Sequence, residues 1–204
     1  MNENNLDDAE ELVDVYDENG RYIRTMRKKD TLEKNEWLKC ATCFVMDRRF
    51  NVLIQIRGKN KLKEPGKKDL TSGHVGHNQV YTNAMIRELE EEDGIKKEKS
   101  IEAMHQGRFI RLGNLKMEFD NWRCLTDVFV LFRKELGTQG LIFNSEVENV
   151  EMHTYESVIN MIRNNDTRFK YTQEYEKIFE ALKKEIQKQK ERRNPKIKSG
   201  ERRF

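Results

Sequence analysis

The amino-acid sequence predicts an α/β (α+β) fold with helices packed on both faces of a mixed sheet. Three observations carry that expectation. Short runs rich in β-branched and aromatic residues give way to segments of helical periodicity, in the order strands, helix, strands, helices. The chain has 204 residues, 36% hydrophobic and 37% charged, which suits one sizeable core with a polar extension better than two full domains. Its longest apolar runs, such as residues 128–132, fall far below the roughly 20 residues that span a bilayer, so no membrane partner is expected.

The elements follow in order. Residues 12–23 read as a β-hairpin, with Val13 and Val15 before Asp17-Glu18-Asn19-Gly20 and with Tyr22 and Ile23 after it. Asn-Gly there is expected to supply the positive φ values of a tight turn. Two strands, 37–46 and 51–56, flank the turn Asp47-Arg48-Arg49. Residues 57–68 hold six basic residues and Glu64 around Pro65-Gly66 and read as a loop, as does Thr71-Ser72-Gly73. A helix is predicted over 81–93, ending at Gly94, which suits a left-handed cap. Strands resume at 107–111, 116–119 and 124–132. Thr154 can cap a short helix carrying Val158, Ile159, Met161 and Ile162. The last helix, 172–193, repeats Tyr175, Ile178, Phe179, Leu182 and Ile186 at three and four residues until Pro195 stops it.

Residues 1–10 are expected to form a disordered N-terminus, 11–182 the domain, and 183–204 a basic helix end and tail. The start of the chain is acidic and amide-rich, without the basic start and apolar core of a secretory signal, so a cytoplasmic protein is expected. The net charge of +3 is uneven: residues 183–204 carry ten Lys or Arg against three Glu, leaving the remainder acidic. Such a tail either keeps a helix end solvated or reaches RNA phosphates, and the absence of interleaved aromatics before Phe204 favours the first. Cys40, Cys43 and Cys124 are an odd set without a second pair, so neither a disulfide framework nor a zinc module is expected. The Cys40/Cys43 spacing falls in an apolar stretch and reads as strand packing.

The chemistry concentrates in residues 73–95, GHVGHNQVYTNAMIRELEEEDGI. Glu88, Glu91 and Glu92 are spaced i, i+3, i+4, within an arc of roughly 100° on a helix. Carboxylates so close repel one another unless they spread into solvent or hold a cation, and hard oxygen ligands suit Mg²⁺ or Mn²⁺. Taken alone, the run reads as a solvated acidic face.

The wider segment resembles the Nudix box: Gly, five residues, Glu, seven residues, Arg-Glu, an aliphatic, any residue, Glu-Glu, any residue, Gly and an aliphatic. Gly73, Arg87, Glu88, Leu89, Glu91, Glu92, Gly94 and Ile95 match. The departure is Gln79, an uncharged amide where the pattern has Glu. The resemblance implies an α/β/α Nudix sandwich, with the N-terminal β-hairpin as an addition to its core and the long C-terminal helix after it. It implies that Glu88, Glu91 and Glu92 hold Mg²⁺ or Mn²⁺, that Arg87 orients Glu88, and that Gly73 and Gly94 shape the flanking turns. It also implies that Gln79 lowers metal affinity or rate, since the Glu of the pattern helps orient the box and its Arg.

A longer likeness, through VDVYDENGRYI, CFVMDRRFNVLIQIR and PGKKDLTSGHV, is to the Nudix branch related to isopentenyl diphosphate isomerase. His74 matches the His that follows the box Gly in the isomerase. The isomerase also needs a Cys where this chain has Ser72, two more His toward the N-terminus, and a Glu-x-Glu pair at 122–124. None of the four His precedes residue 74, and the pair is missing, so isomerisation is disfavoured.

What remains is hydrolysis of a diphosphate linkage in a nucleoside diphosphate derivative, with a nucleotide- or RNA-binding module as the alternative. By resemblance Glu146 is the candidate carboxylate outside the box, with Glu118, Asp120 and Asp127 behind it, and His74 is a candidate metal ligand. Arg57, Lys67 and Lys68 are candidates to hold substrate phosphates. Trp37, Trp122 and Phe119 could stack on a base, but each reads first as a core or edge aromatic. Many relatives are homodimers, and the apolar stripe of the last helix could serve a dimer or dock on its own sheet.

Overall fold

The computed structural model describes residues 10–30, 32–59, 64–119, 122–133 and 147–194. Its centre is β3 (Leu38–Met46), whose sequence LKCATCFVM is nearly continuous in apolar residues because both of its faces are covered. It runs parallel to β8 (Trp122–Phe132), from Leu38↔Cys124 to Met46↔Phe132. β7 (Phe109–Phe119) pairs antiparallel with the far edge of β8.

On its other side β3 turns into β4 (Asn51–Arg57) at Asp47, whose Oδ1 accepts from the Arg49 and Asn51 amides at 2.7 and 2.8 Å. The two strands then separate. Met46↔Val52 is their register pair, after which β3 pairs with β6 (Thr71–His74), while β4 pairs with β5 (Lys68–Asp69) and β9 (Val147–Thr154). Polar side chains collect in the opening between them.

Helices cover both faces, as the sequence predicts. Ala41, Cys43 and Val45 pack with Met85, Ile86 and Leu89 of α1 (Tyr81–Glu91) and with Ala103 of α2 (Lys97–His105). Phe44 and Met46 face the opposite way, toward Val158 and Ile162 of α3 (Tyr155–Arg163) and Phe179 and Leu182 of α4 (Tyr175–Arg193). Thr154 caps α3, its Oγ1 accepting from the Ser157 amide at 3.2 Å. The apolar stripe of α4 is covered by the chain's own sheet. At its far end Lys190 and Arg193 lie over the Phe50 ring at 5.3 and 4.8 Å, and Arg192 donates to the Gly107 carbonyl at 3.0 Å. Residues 195–204, and with them the rest of the basic tail, lie outside the described residues, as do residues 1–9 at the N-terminus. Among the described residues no helix is long and apolar enough to cross a membrane.

The hairpin β1 (Leu12–Tyr16) and β2 (Tyr22–Arg27) forms a separate two-stranded sheet. Of its Asn-Gly pair only Gly20 has positive φ, 79°, because Asp17 Oδ1 takes the amides of Asn19 and Arg21 and closes the turn. The hairpin is tied to the domain by a reciprocal pair of 2.8 Å backbone bonds between Tyr16 and Trp37 and by the His77 amide donating to the Leu12 carbonyl at 2.8 Å.

Several expectations are corrected. Residues 71–73 belong to a strand, because β3 offers them a free edge where β4 departs. The segments 107–111 and 116–119 form one strand, interrupted by a register shift between Arg111 and Gly113. Helix α1 ends at Glu91, with Glu92 at its cap and Gly94 at φ 61°. Helix α2 and most of β9 had no legible signal. Cys40 and Cys124 are joined in a disulfide, against the expectation of none, because the parallel register sets their Cα atoms 5.9 Å apart.

The α4 docking is open to test by urea denaturation. Phe179→Ala should lower stability by about 3–5 kcal/mol, whereas Glu180→Ala, on the exposed side, should stay within about 0.5 kcal/mol. A loss below about 1 kcal/mol for Phe179→Ala would mean that α4 is peripheral to the core.

Candidate active site

The box helix meets the sheet at the opening between β3 and β4. Glu88 and Glu92 lie one helical turn apart, are both buried, and face the β6 strand. At Gly73 a Cβ would stand 1.9 Å from Glu88 Oε1, so this strand position must be glycine if the Glu88 carboxylate is to lie where it does. Glu92 Oε2 accepts from the Ser72 amide at 3.3 Å and from Gln55 Nε2 at 3.1 Å. The same Gln55 nitrogen donates to Asp93 Oδ1 at 3.0 Å, and the Thr71 hydroxyl donates to Asp93 Oδ2 at 2.7 Å. Gln55 thus uses both amide hydrogens to hold two adjacent carboxylates.

Burial pushes Glu92 well above the ordinary carboxylate value, and the charges of Glu88, Asp93 and Asp69 push the same way against the Gln55 hydrogen bond. Burial also raises Asp93 to about 6, opposed by Thr71 and Gln55. Asp69, on β5, accepts from Arg57 Nη1 at 2.8 Å and ion-pairs through the same oxygen with Arg168, whose Nε, like Asp69 Oδ1, is buried without an aligned hydrogen-bond partner. Arg168 Nη2 also donates to the Ser72 hydroxyl at 2.6 Å. Glu92 and Asp93, buried where they feel the charge of Glu88 and of Asp69, whose Oδ1 is orphaned, are hard oxygen donors of the kind that suits a divalent cation.

Arg87 links three carboxylates. Its guanidinium reaches Glu88 at 2.8 Å, Glu91 at 2.9 Å and Glu11 at 3.8 Å, and donates to the His74 carbonyl at 3.1 Å. Burial opposes its charge, but Glu88, Glu91 and Glu11 outweigh burial and hold it positive. Glu91 is half-exposed and shares the Arg87 guanidinium with Glu88. Gln79 lies beside Glu11: a Cβ on Gly76 would stand 3.2 Å from Glu11 Oε1 and 3.4 Å from Gln79 Nε2. The hairpin therefore brings a carboxylate to the place where the box has an amide.

The other candidates are spread more widely. Arg57 is occupied by Asp69, Lys67 is exposed, and Lys68 lies 3.5 Å from Glu151. His74 points to the face of the sheet opposite Glu88, toward Cys40, Cys124 and Trp122. Asp127 is taken by Arg111 at 2.8 Å, and Trp37 is core. Glu146 and Asp120 lie outside the described residues. Gln55, Asp69, Asp93 and Arg168 join the site although nothing in the linear sequence marks them. Asp93 sits at a box position that admits any residue, and the other three come near the box only through the β4, β5 and post-α3 backbone.

Residues 37–181, more than two thirds of the chain, match the family model described as NUDIX domain, and the chain belongs to that family. An uncharacterized Nudix hydrolase of Streptomyces coelicolor is 31% identical over 90 residues, 44% of this chain; the match spans half of that relative's length. A Deinococcus radiodurans crystal structure superposes with a TM-score of 0.61 at 17% identity, covering 77% of this chain and 91% of that one. The MutT protein of Methanosarcina mazei gives 0.55 at 18%, covering 76% and 99%. The NUDIX domain of Shewanella oneidensis NrtR, complexed with ADP ribose, gives 0.51 at 15%, covering 72% and 88%. At these identities the structural likenesses establish the fold.

The raised carboxyls make a signed prediction for the metal-free protein. The folded chain binds the Asp93 proton more tightly than the unfolded chain does, so stability is greatest below about pH 4 for this group and falls as pH rises through about 6. In EDTA, the thermal midpoint should fall between about pH 4 and 6, and Asp93→Asn should flatten that fall. An unchanged slope in the variant would show that Asp93 does not carry the dependence.

Proposed function

We propose that this protein is a pyrophosphohydrolase that cleaves a diphosphate linkage in a nucleoside diphosphate derivative, with Mg²⁺ or Mn²⁺ held by Glu88, Glu91 and Glu92. The observation that carries this reading is the convergence of Glu88 and Glu92 on the glycine-opened β6 strand, with Asp69 and Asp93 adding further negative charge behind them. Membership of the Nudix family and the ADP ribose held by the Shewanella domain support the substrate class.

A bound divalent cation would lower the pKa of a water and neutralise phosphate oxygens. Glu88, held by Arg87 and packed against Gly73, is placed to accept the proton from the attacking water. As the new oxygen–phosphorus bond forms, the bridging oxygen leaves with its electron pair. Lys67 and Lys68, which follow the basic loop, would supply point charges for the outer phosphate, and Arg57 and Arg168 hold Asp69 and Ser72 in place. Mg²⁺ and Mn²⁺ remain equivalent candidates. A nucleotide-binding role without turnover is the second reading, favoured by Gln79 in place of a box carboxylate. RNA contact through the basic tail, residues 183–204, and a homodimer have no support of comparable weight.

The experiment is phosphate release from a panel of nucleoside diphosphate compounds, ADP ribose included, with Mg²⁺ or Mn²⁺ and a coupled phosphatase. Metal-dependent turnover that falls by at least about 100-fold in Glu92→Gln is expected. Nucleotide binding without turnover across the panel would move the assignment to the binding module.

Glu11 tests the box more finely. Loss of its partly exposed charge in Glu11→Gln should cost about 5-fold in kcat, equivalent to about 1 kcal/mol, and Gln79→Glu in the same chain should restore it. A Glu11 that serves only to dock the hairpin would not be rescued from position 79.

A further inference from the structure

Two of the chain's three cysteines and one of its four histidines meet on the face of the sheet turned away from the box carboxylates. They come from three strands far apart in sequence: Cys40 on β3, His74 on β6 and Cys124 on β8. Cys40 stands directly opposite His74 in the antiparallel β3–β6 pair, and the parallel register sets Cys124 against Leu38, next along β3 but one. Neighbouring positions turn away. Gly73 faces Glu88, and Cys43 is buried on the α1 side.

The two Sγ atoms and an imidazole nitrogen all lie within 4.8 Å of one another. In a tetrahedral zinc centre, metal–sulfur bonds of about 2.3 Å and metal–nitrogen bonds of about 2.0–2.1 Å put the ligand atoms about 3.5–3.8 Å apart. That separation is within reach of these side chains by rotamer adjustment, because the backbone of a central sheet already holds all three at one point. The surroundings also fit: Val13, Val15, Met26 and Leu38 form an apolar wall, and the Trp122 ring lies 5.7 Å from that of His74. Two thiolates, a neutral imidazole and a divalent cation sum to zero charge, the state an apolar wall tolerates. His74 is half-exposed, so a fourth ligand can come from solvent.

We propose that, with its cysteines reduced, the protein binds a thiophilic divalent cation, zinc foremost, through Cys40 Sγ, Cys124 Sγ and a ring nitrogen of His74. The site is separate in ligands and in position from the carboxylate cluster, and it stands whether or not that cluster supports hydrolysis. By joining β3, β6 and β8 beneath the hairpin, it would pin the strand that carries Gly73.

The full chain, reduced with a phosphine and freed of metal, is equilibrated with Zn²⁺ or Co²⁺, desalted, and its metal counted against protein. About one zinc per chain is expected, with a thiolate-to-cobalt charge-transfer band in the Co²⁺ form. Both should persist in Cys43→Ser and Glu92→Gln and disappear in Cys124→Ser and His74→Ala. His74→Ala, at a half-exposed position, carries the test if Cys124→Ser fails to fold by circular dichroism. A reduced wild type that retains no zinc, or zinc retained undiminished in His74→Ala, would overturn the proposal.

Discussion

Glu92 and Asp93 are consecutive carboxylates held out of water at the point where β4 leaves β3, and much of the surrounding structure answers to that constraint. Removing an ion from water costs several kcal/mol even after relaxation, so each oxygen needs a donor. Gln55 and Thr71 serve the two oxygens of Asp93, and Gln55 and the Ser72 amide both serve Glu92 Oε2. These donors exist only because β3 exchanges β4 for β6 after a single register pair, which opens the sheet and lays the Thr71-Ser72-Gly73 backbone beside the box helix. The strand order and the site are therefore one arrangement. A closed β3–β4 ladder would have left Glu92 facing apolar side chains without hydrogen-bond donors.

The ion pairs extend the same logic outward. Asp69 adds negative charge behind Glu92, and its pairing with Arg57 and Arg168 keeps that charge from accumulating unopposed. Arg87 does the same for Glu88 while fixing its orientation, with Glu11 arriving from the hairpin to complete the set. The N-terminal hairpin, which lies outside the residues matched by the family model, thus contributes a charge to the centre of the box. The side chains of Gln79 and Glu11 both come up against Gly76, and Glu11 is 3.8 Å from the Arg87 guanidinium.

Much of this was legible in the sequence, and what was not has a physical reason in each case. The α4 stripe, the Thr154 cap and the near-continuous apolar run of β3 are local signals, and local signals survive in a linear reading. The Nudix box by itself sets Glu88, Glu92, Gly73 and Arg87 in one segment. Thr71-Ser72-Gly73 reads as a loop because its strand character comes from the edge that β3 offers and not from its own side chains. Helix α2 buries only Ser100 and Ala103, too little for an apolar face to show. Gln55, Asp69 and Arg168 are ordinary polar residues until the backbone of three elements brings them to the box. The Cys40–Cys124 pair is separated by 84 residues and becomes visible only through strand register.

The central claim is that the Gly73 opening and the buried carboxylates form one cation site. Its most direct measurement is Mn²⁺ binding to the wild type and to Gly73→Ala, read from the electron paramagnetic resonance signal of free Mn²⁺. The account predicts binding in the wild type and at least about 10-fold weaker binding in Gly73→Ala, or about 1.4 kcal/mol, because a Cβ 1.9 Å from Glu88 Oε1 must displace the carboxylate. Equal affinity in the two proteins, with the variant folded, would contradict it.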